Sequence, residues 1–574
     1  MPRSREPRFI PASVMVRLRM NEFLKTLNGY ASREGPRSWI LILEDQLSDD
    51  IGPLSREDPH GLGVVFIESH WKLRRRPYHK QKIAFHLLNL RHFALEQAKR
   101  GVAVRYQTTF KPLRKTLKPL IRELGSLRVM EPAELEVRQD LDPLVKKGLV
   151  TFIPHEGWLT SRHDFEEGAG KQPPWRMDTF YRFVRKHTGI LMDGPRPIGG
   201  KYSFDTENRK PWKGSPPPPK EPRFPPNPIK TEVVKLVESR FADHPGTLHP
   251  EFLPGTKSDA LRQWHWARTQ CLPHFGPYED AMAEQEQTLF HTRIAALLNI
   301  HRVLPGRVIK DVEALKLPLA SKEGFIRQVL GWREFVRHVH QATDGFRNQF
   351  PMADVPGDAG YNKWGTQKWK SSRNVPDLDG GATPSSLGAM NPLPASFWGT
   401  ASGLHCLDQV IGQVWEHGYS HHITRLMILA NIATLLDVSP RELTDWFWVA
   451  YVDAFDWVVE PNVLAMGTFG TGPLMTTKPY ISGAAYIHRM SDFCTGCAFN
   501  PKTNCPITNL YWAFLARHKK QLQSNHRLML PLRNSQKRDQ EKSRKDREIF
   551  SIVQRALEKN TYLTPEHLIH PESP

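Results

Sequence analysis

The sequence predicts two architectures in one chain: an N-terminal α/β domain on a doubly wound parallel sheet, and a large all-α C-terminal domain. Three observations predict this. Short apolar runs alternate with a long helical pattern between residues 39 and 130. A proline-dense stretch, KPWKGSPPPPKEPRFPPNP, interrupts the chain near 205–230. Beyond it, apolar residues recur at helical spacing with few strand-like runs. At 574 residues the chain is too long for one core, and its 16 Trp and 28 Phe furnish ample interior.

Trp39-Ile-Leu-Ile-Leu43 reads as a buried strand that ends in polar Glu44-Asp45-Gln46. Gly63-Val-Val-Phe-Ile67 reads as a second strand. A helix follows from Lys80 to Lys99, with Ile83, Leu87, Leu90 and Phe93 on one stripe. Val102–Tyr106 and Arg128–Met130 read as further strands. Ligands of such sheets lie beyond the carboxyl ends of strands, where Asp45 and Gln46 fall. Past the prolines, helices are expected over 291–304, 323–340, 421–436 and 440–459. The last opens on a capping box, Ser439-Pro-Arg-Glu442. Trp446 and Asp453 are seven residues apart and would share its face. The expected division is an extension over 1–38, an α/β domain over 39–160, a linker over 161–255, a helical domain over 256–532 and a charged tail over 533–574. The tail reads as a solvated helix or a disordered segment.

A formal net charge of +19 points to a polyanionic partner, most simply nucleic acid. No apolar run approaches the length of a membrane span. The N-terminus lacks the apolar core of a secretion signal, and Glu6, Glu22 and Glu34 interrupt its basic pattern. A cytoplasmic location is expected, with organelle targeting by residues 1–38 left open.

Four cysteines carry the clearest chemical signal. Cys494 and Cys497 form a C-x2-C pair, Cys505 follows eight residues on, and Cys406 stands upstream. One turn can present both thiolates of such a pair to a metal centre, either zinc or iron–sulfur. Cys271 has no ligand company and reads as a core residue. Gly418-Tyr-Ser-His-His422 opens a helix. Adjacent histidines diverge by about 100° on a helix, so one is better suited to proton donation than both to a shared metal. GWREFVRHVH gathers Trp332, Arg333 and Arg337 within two turns.

GYSHHITRLMILAN, VDAFDWVVEPNV, TKPYISGAAYIHRMSDFCTGC and SNHRL occur together downstream. HFGPYEDAM, FHTRIAALLN, EGFIRQVLGWREFVR and GGKYSFDTENRK precede them, and WILILEDQL and RRPYHKQKIAFHLLNLRHFALE stand near the start. With these stretches, roughly residues 39–530 resemble the iron–sulfur bacterial branch of the cryptochrome/photolyase family, the prokaryotic (6-4) photolyases. The resemblance implies an antenna-binding α/β domain joined to a helical domain that holds FAD. It implies a 4Fe-4S cluster on Cys406, Cys494, Cys497 and Cys505, and a 6,7-dimethyl-8-ribityllumazine antenna near Asp45 and Gln46. By the same comparison Tyr278, Thr292, Arg293, Trp332, Arg333 and Asp453 fall at the flavin. His421 and His422 fall at the lesion pocket with Tyr480, Tyr486 and Met466, and Trp398 and Trp446 in the electron relay. The implied activity is light-driven reversal of (6-4) photoproducts in UV-damaged DNA by a monomeric, nucleoid-associated protein. The alternative is a blue-light receptor without repair. Four positions depart from the family pattern: Phe447 replaces a common tyrosine, the gap from Cys497 to Cys505 is short, Ala295 replaces a small hydroxyl, and Val459-Glu460 alters the order before Pro461.

Overall fold

Five parallel strands form the N-terminal sheet in a computed structural model that describes residues 22–30, 35–348 and 381–569. They are β1 (Ser38–Ile42), β2 (Leu62–Ser69), β3 (Ala103–Thr109), β4 (Leu127–Met130) and β5 (Val150–Ile153). Their order is β3-β2-β1-β4-β5, with Ser38 opposite Leu62 and Leu127 opposite Val150. The order reverses beside β1, so the crevice at its carboxyl end is where this topology leaves room for a ligand. Every residue of β2 is buried, as expected of a central strand covered on both faces. β5 is too short and too mixed in polarity (VTFI) to announce itself in the sequence.

Helix α1 (Glu22–Asn28) lies within the predicted extension and buries Phe23 and Leu27. Residues 1–21 of that extension, with the targeting expectation placed on them, lie outside the described residues. Helix α2 (Lys80–Lys99) joins β2 to β3. It is buried nearly all round, Lys82 and Asn89 included, because the helical domain covers the side that a one-stripe helix would leave to water. Lys82 Nζ donates to the carbonyls of Trp448 (2.7 Å) and Ala454 (2.6 Å), which fastens the two domains. The proline-dense stretch runs extended into α3 (Pro228–Arg240), which packs along α2.

The helical domain differs from expectation in three places. The helix predicted over 291–304 shrinks to Ala295–Asn299, because Arg293 (φ 52°) and His301 (φ 57°) take left-handed backbone on either side. The 323–340 pattern is one rod, α4 (Leu319–Ile326) to α5 (Glu334–Ala342), but Arg327–Arg333 between them is π-helical. The pattern over 440–459 breaks after α7 (Pro440–Ala450), where Tyr451 turns extended, so Asp453 is not on the face of Trp446. Ser439 caps α7 as predicted, while Glu442 accepts from the Leu393 N–H.

The charged tail is not solvated all round. Helix α9 (Gln540–Glu558) seats Ile549, Val553 and Leu557 against α8 (Pro506–Arg517). Its acidic Asp546 is buried with Asn509 and Arg538.

Candidate functional site

Helix α6 (His405–His417) ends at Gly418 in left-handed conformation (φ 62°), where a Cβ would press on Val452. The chain then doubles back, and a backbone hydrogen bond from Val452 N to Gly418 O (3.0 Å) stitches this turn to the one after α7. Tyr419 is thereby brought beside Asp453, and His421 beside Arg425. The guanidinium of Arg425 ties the two turns together. It meets Asp453 through Nη1 and Nη2 (3.1 Å each), donates through Nε to Ser420 O (2.8 Å), and lies 3.9 Å over the Tyr451 ring. Arg425 opens another π-helical segment, Arg425–Ala430, and Met466 sits half-buried on a further one, Glu460–Gly467. Wide turns of this kind gather at functional sites because they re-aim side chains within a helix.

A cleft beside this pair is lined by Gln263, Arg293, Tyr419 and Asp453. The linker closes one side with Glu221, which accepts from Arg293 Nη1 at 2.7 and 2.5 Å. Arg293 lies 4.3 Å over the Tyr419 ring. Of the six residues expected at a flavin, Arg293 and Asp453 line this cleft. Thr292 is buried one residue away, with its carbonyl facing Gln263. Tyr278 packs on Phe290 and donates to Ser215 O. Trp332 lies edge-on to Phe335. Arg333 sits between Trp158 (4.1 Å) and Trp457 (5.6 Å) at the domain junction, where burial lowers its pKa to about 10. Glu221 and Arg425 were invisible in the sequence, since each takes its role from a distant partner.

Next to the cleft, His421 is buried and stacks on His291 (centroids 4.5 Å apart, planes 8° apart). Burial, with His291 beside it, holds His421 well below the ordinary imidazole pKa. His422 is half-exposed, its Nε2 3.8 Å from the Asp280 carboxylate. Tyr486 shares Asp280, and burial and that carboxylate raise its phenol pKa. Tyr480 is raised chiefly by burial, with Arg527 and Arg209 opposing.

The aromatic rings around the two tryptophans expected in a relay form a continuous chain. Trp398 stacks on Trp415 (5.4 Å), Trp415 meets Trp446 edge-on (5.9 Å), and Trp446 reaches Tyr451 (6.0 Å) under Arg425. Phe447 stacks on Tyr451 (5.1 Å) beside this path.

The four cysteines converge from three segments. Cys406 is in the first turn of α6, Cys505 caps α8, and Cys494 and Cys497 occupy the turn between Ala484–Met490 and α8. Burial first, then the neighbouring sulfurs, raises Cys494 to about 11 and Cys505 to about 12. Two helix N-termini aim partial positive charge at the group. Thiols gathered so that each hinders its neighbours' ionisation suit a cationic metal centre. Around a single zinc, sulfurs stand about 3.8 Å apart, given Zn–S bonds near 2.3 Å. Among the described residues His291, His421 and His422 are the one group of three His, Cys, Asp or Glu whose ligand atoms all lie within 4.8 Å of one another, so no three of the sulfurs stand that close together.

At the carboxyl end of the sheet a cavity of about 790 Å³ is lined by Leu43, Asp45, Ser69, Lys72 and Glu134. Burial, and Glu134 after it, raises Asp45 to about 7, and its Oδ2 has no partner. Gln46 turns away and donates to Met130 O (2.8 Å).

Residues 40–252 match the family described as deoxyribodipyrimidine photo-lyase-related protein. Over 510 residues the chain is 33% identical to a (6-4) photolyase of Agrobacterium fabrum, covering 86% of this chain and 94% of that one. The chain belongs to the photolyase-related bacterial branch of the cryptochrome/photolyase family. Two solved structures share the fold of this photolyase-family chain, each with a TM-score of 0.50. A bacterial class III photolyase from Agrobacterium tumefaciens is 16% identical and matches over 92% of this chain and 99% of its own. An archaeal photolyase from Sulfolobus tokodaii, solved with two FAD molecules, is 14% identical over 85% and 99%. Family membership implies FAD and a light-dependent role, in DNA repair or in photoreception. The cleft's donor set suits such a nucleotide, with a guanidinium for phosphate, an aromatic face and a carboxylate acceptor. No described helix is long and apolar enough to cross a membrane.

Proposed function

We propose that this chain is a monomeric, light-driven lyase that reverses (6-4) pyrimidine photoproducts in DNA. The observation that carries the reading is the histidine pair beside the Arg425–Asp453 cleft: His421 buried and neutral, His422 open to solvent and facing Asp280. The cleft residues would hold FAD, which would supply light-driven electron-transfer chemistry there. Arg293 would hold its phosphates, with Glu221 fixing the guanidinium, and Asp453 would accept from a ring N–H or amine. His422 exchanges protons with water and delivers one to the flipped base, as its exposure suits. Tyr486 and Tyr480 wall the pocket, and burial keeps their hydroxyls protonated as donors. Arg209, Lys478 and Arg527 surround Tyr480. Lys478 is half-buried, and burial first, then Arg527 and Arg209, lowers its pKa, so an anion beside it would be favoured. Phosphates flanking a lesion fit there.

We assign the four cysteines to a 4Fe-4S cluster, on their number and their convergence on Cys406. We assign the sheet cavity to a lumazine antenna, with unpartnered Asp45 accepting from its ring or ribityl hydroxyls. A photoreceptor reading has one observation of its own: Phe447 stands where the relay commonly has a tyrosine that can lose its proton.

The deciding test is illumination of reduced protein with a defined (6-4) duplex. We expect light-dependent repair in the parent chain and none in His422→Ala, with flavin still bound. A parent that binds flavin, photoreduces and repairs nothing would establish the photoreceptor reading instead.

A further inference from the structure

Three imidazoles meet at the lesion pocket, and one of them has no role so far. His291 stacks on His421, and His422 stands edge-on to His291 at 5.3 Å. One nitrogen from each lies within 4.8 Å of the others, which invites a metal. The stacking argues against it. Imidazole lone pairs lie in the ring plane, and two nearly parallel planes share no point where an ion could accept both. The rings form a hydrogen-bonding wall instead. Both nitrogens of His421 and Nε2 of His291 are buried without a protein partner. Buried polar groups in folded proteins are normally hydrogen-bonded, so such a wall is completed by a ligand. His291 bonds the Glu279 backbone with its other nitrogen. A proton donated there leaves the buried Nε2 as an acceptor without a protein partner.

We propose that His291 is a specificity-determining residue: its Nε2 accepts a hydrogen bond from the hydroxyl or amino group on C5 of the 5′ base of a (6-4) adduct, while its ring holds His421 against the same base. This rests on the repair reading above. A cyclobutane dimer carries no such group and leaves the wall's nitrogens unpaired. Sites built to bond a hydroxyl reject analogues that lack it far more strongly than apolar pockets reject a missing methylene.

The test is dark binding of three duplexes, containing a (6-4) adduct, a cyclobutane dimer or no damage, by the FAD-loaded full chain. His291→Phe keeps a stacking ring and removes the acceptor. It is expected to lower (6-4) affinity at least tenfold, with the other two affinities and the flavin content unchanged. His291→Asn, which restores a polar acceptor, is expected to recover part of the loss. Retained discrimination in His291→Phe, or equal losses on all three duplexes, would overturn the assignment. A parent chain that shows no preference for the (6-4) duplex overturns the repair reading, and the assignment with it. That failure is visible before any variant is made.

Discussion

Arg425 faces Asp453 through two contacts of 3.1 Å, and the same guanidinium spans the turns that follow α6 and α7. Removing one partner of a largely buried, hydrogen-bonded pair leaves the other charge uncompensated. Asp453→Asn is therefore expected to lower flavin retention at least tenfold, read as the flavin-to-protein absorbance ratio after gel filtration. Arg425→Ala should do the same and lower the thermal midpoint as well, because it also frees Ser420 O and Tyr451. Full flavin content in both variants would place the cofactor elsewhere.

Trp415 lies between Trp398 and Trp446, within 6 Å of each ring centre. Trp415→Phe is expected to slow flavin photoreduction at least tenfold with flavin content unchanged, whereas Phe447→Tyr should alter the rate little, since Phe447 flanks the path. Equal photoreduction in Trp415→Phe and the parent would show that electrons bypass this ring.

Much of the fold was legible because the sheet is covered on both faces: β1 and β2 read as plain apolar runs, and α2 as a long helix. The site was less so. The pattern at 291–304 is helical, yet His301 leaves the helix to bond Asp45 O at 2.6 Å across the domain junction. The pattern at 440–459 is helical too, yet the chain breaks where Val452 N bonds Gly418 O, and that break delivers Asp453 to Arg425. Glu221 sits in a proline-rich stretch that reads as inert spacer, and its partner Arg293 is 72 residues away. Local pattern fixes periodicity. Tertiary contacts decide where a period is broken, and the functional side chains sit at the breaks.

The C-terminal segment clamps both helices that begin at cysteines. Arg517 of α8 lies 3.6 Å over Phe550 of α9, and Leu563 N donates to Ser402 O at 2.9 Å, just before α6. Gly403 (φ 84°) leaves no room for a Cβ against the Leu563 backbone. Val553→Asp, which unseats α9, is expected to speed iron loss to a chelator several-fold with flavin content unchanged. An unchanged rate, with α9 released to protease, would show the clamp irrelevant to the cluster. Cys494→Ser should lose iron outright.

Lys478 neutralises a phosphate if the cationic cluster around Tyr480 grips the backbone. Lys478→Gln should then weaken damaged and undamaged duplexes alike and reduce the slope of log affinity against log salt by about 0.9. A loss confined to lesion DNA would place Lys478 against the base instead.

Asp45 gives a pH-dependent test of the sheet cavity. Burial, and Glu134 after it, lifts its folded pKa from the ordinary 3.8 to about 7. Between these pH values the folded chain keeps a proton that the unfolded chain has released, so this carboxyl costs stability increasingly as pH rises from about 4 to 7. With the cavity empty, Asp45→Asn is therefore expected to raise the thermal midpoint more at pH 8 than at pH 5. The difference corresponds to at most about 3 kcal/mol at 1.36 kcal/mol per pKa unit. A bound antenna that donates to Oδ2 would shrink the gain, because the carboxylate then has its partner. The same gain at both pH values, with and without pigment, would mean that Asp45 neither titrates in this range nor touches the ligand.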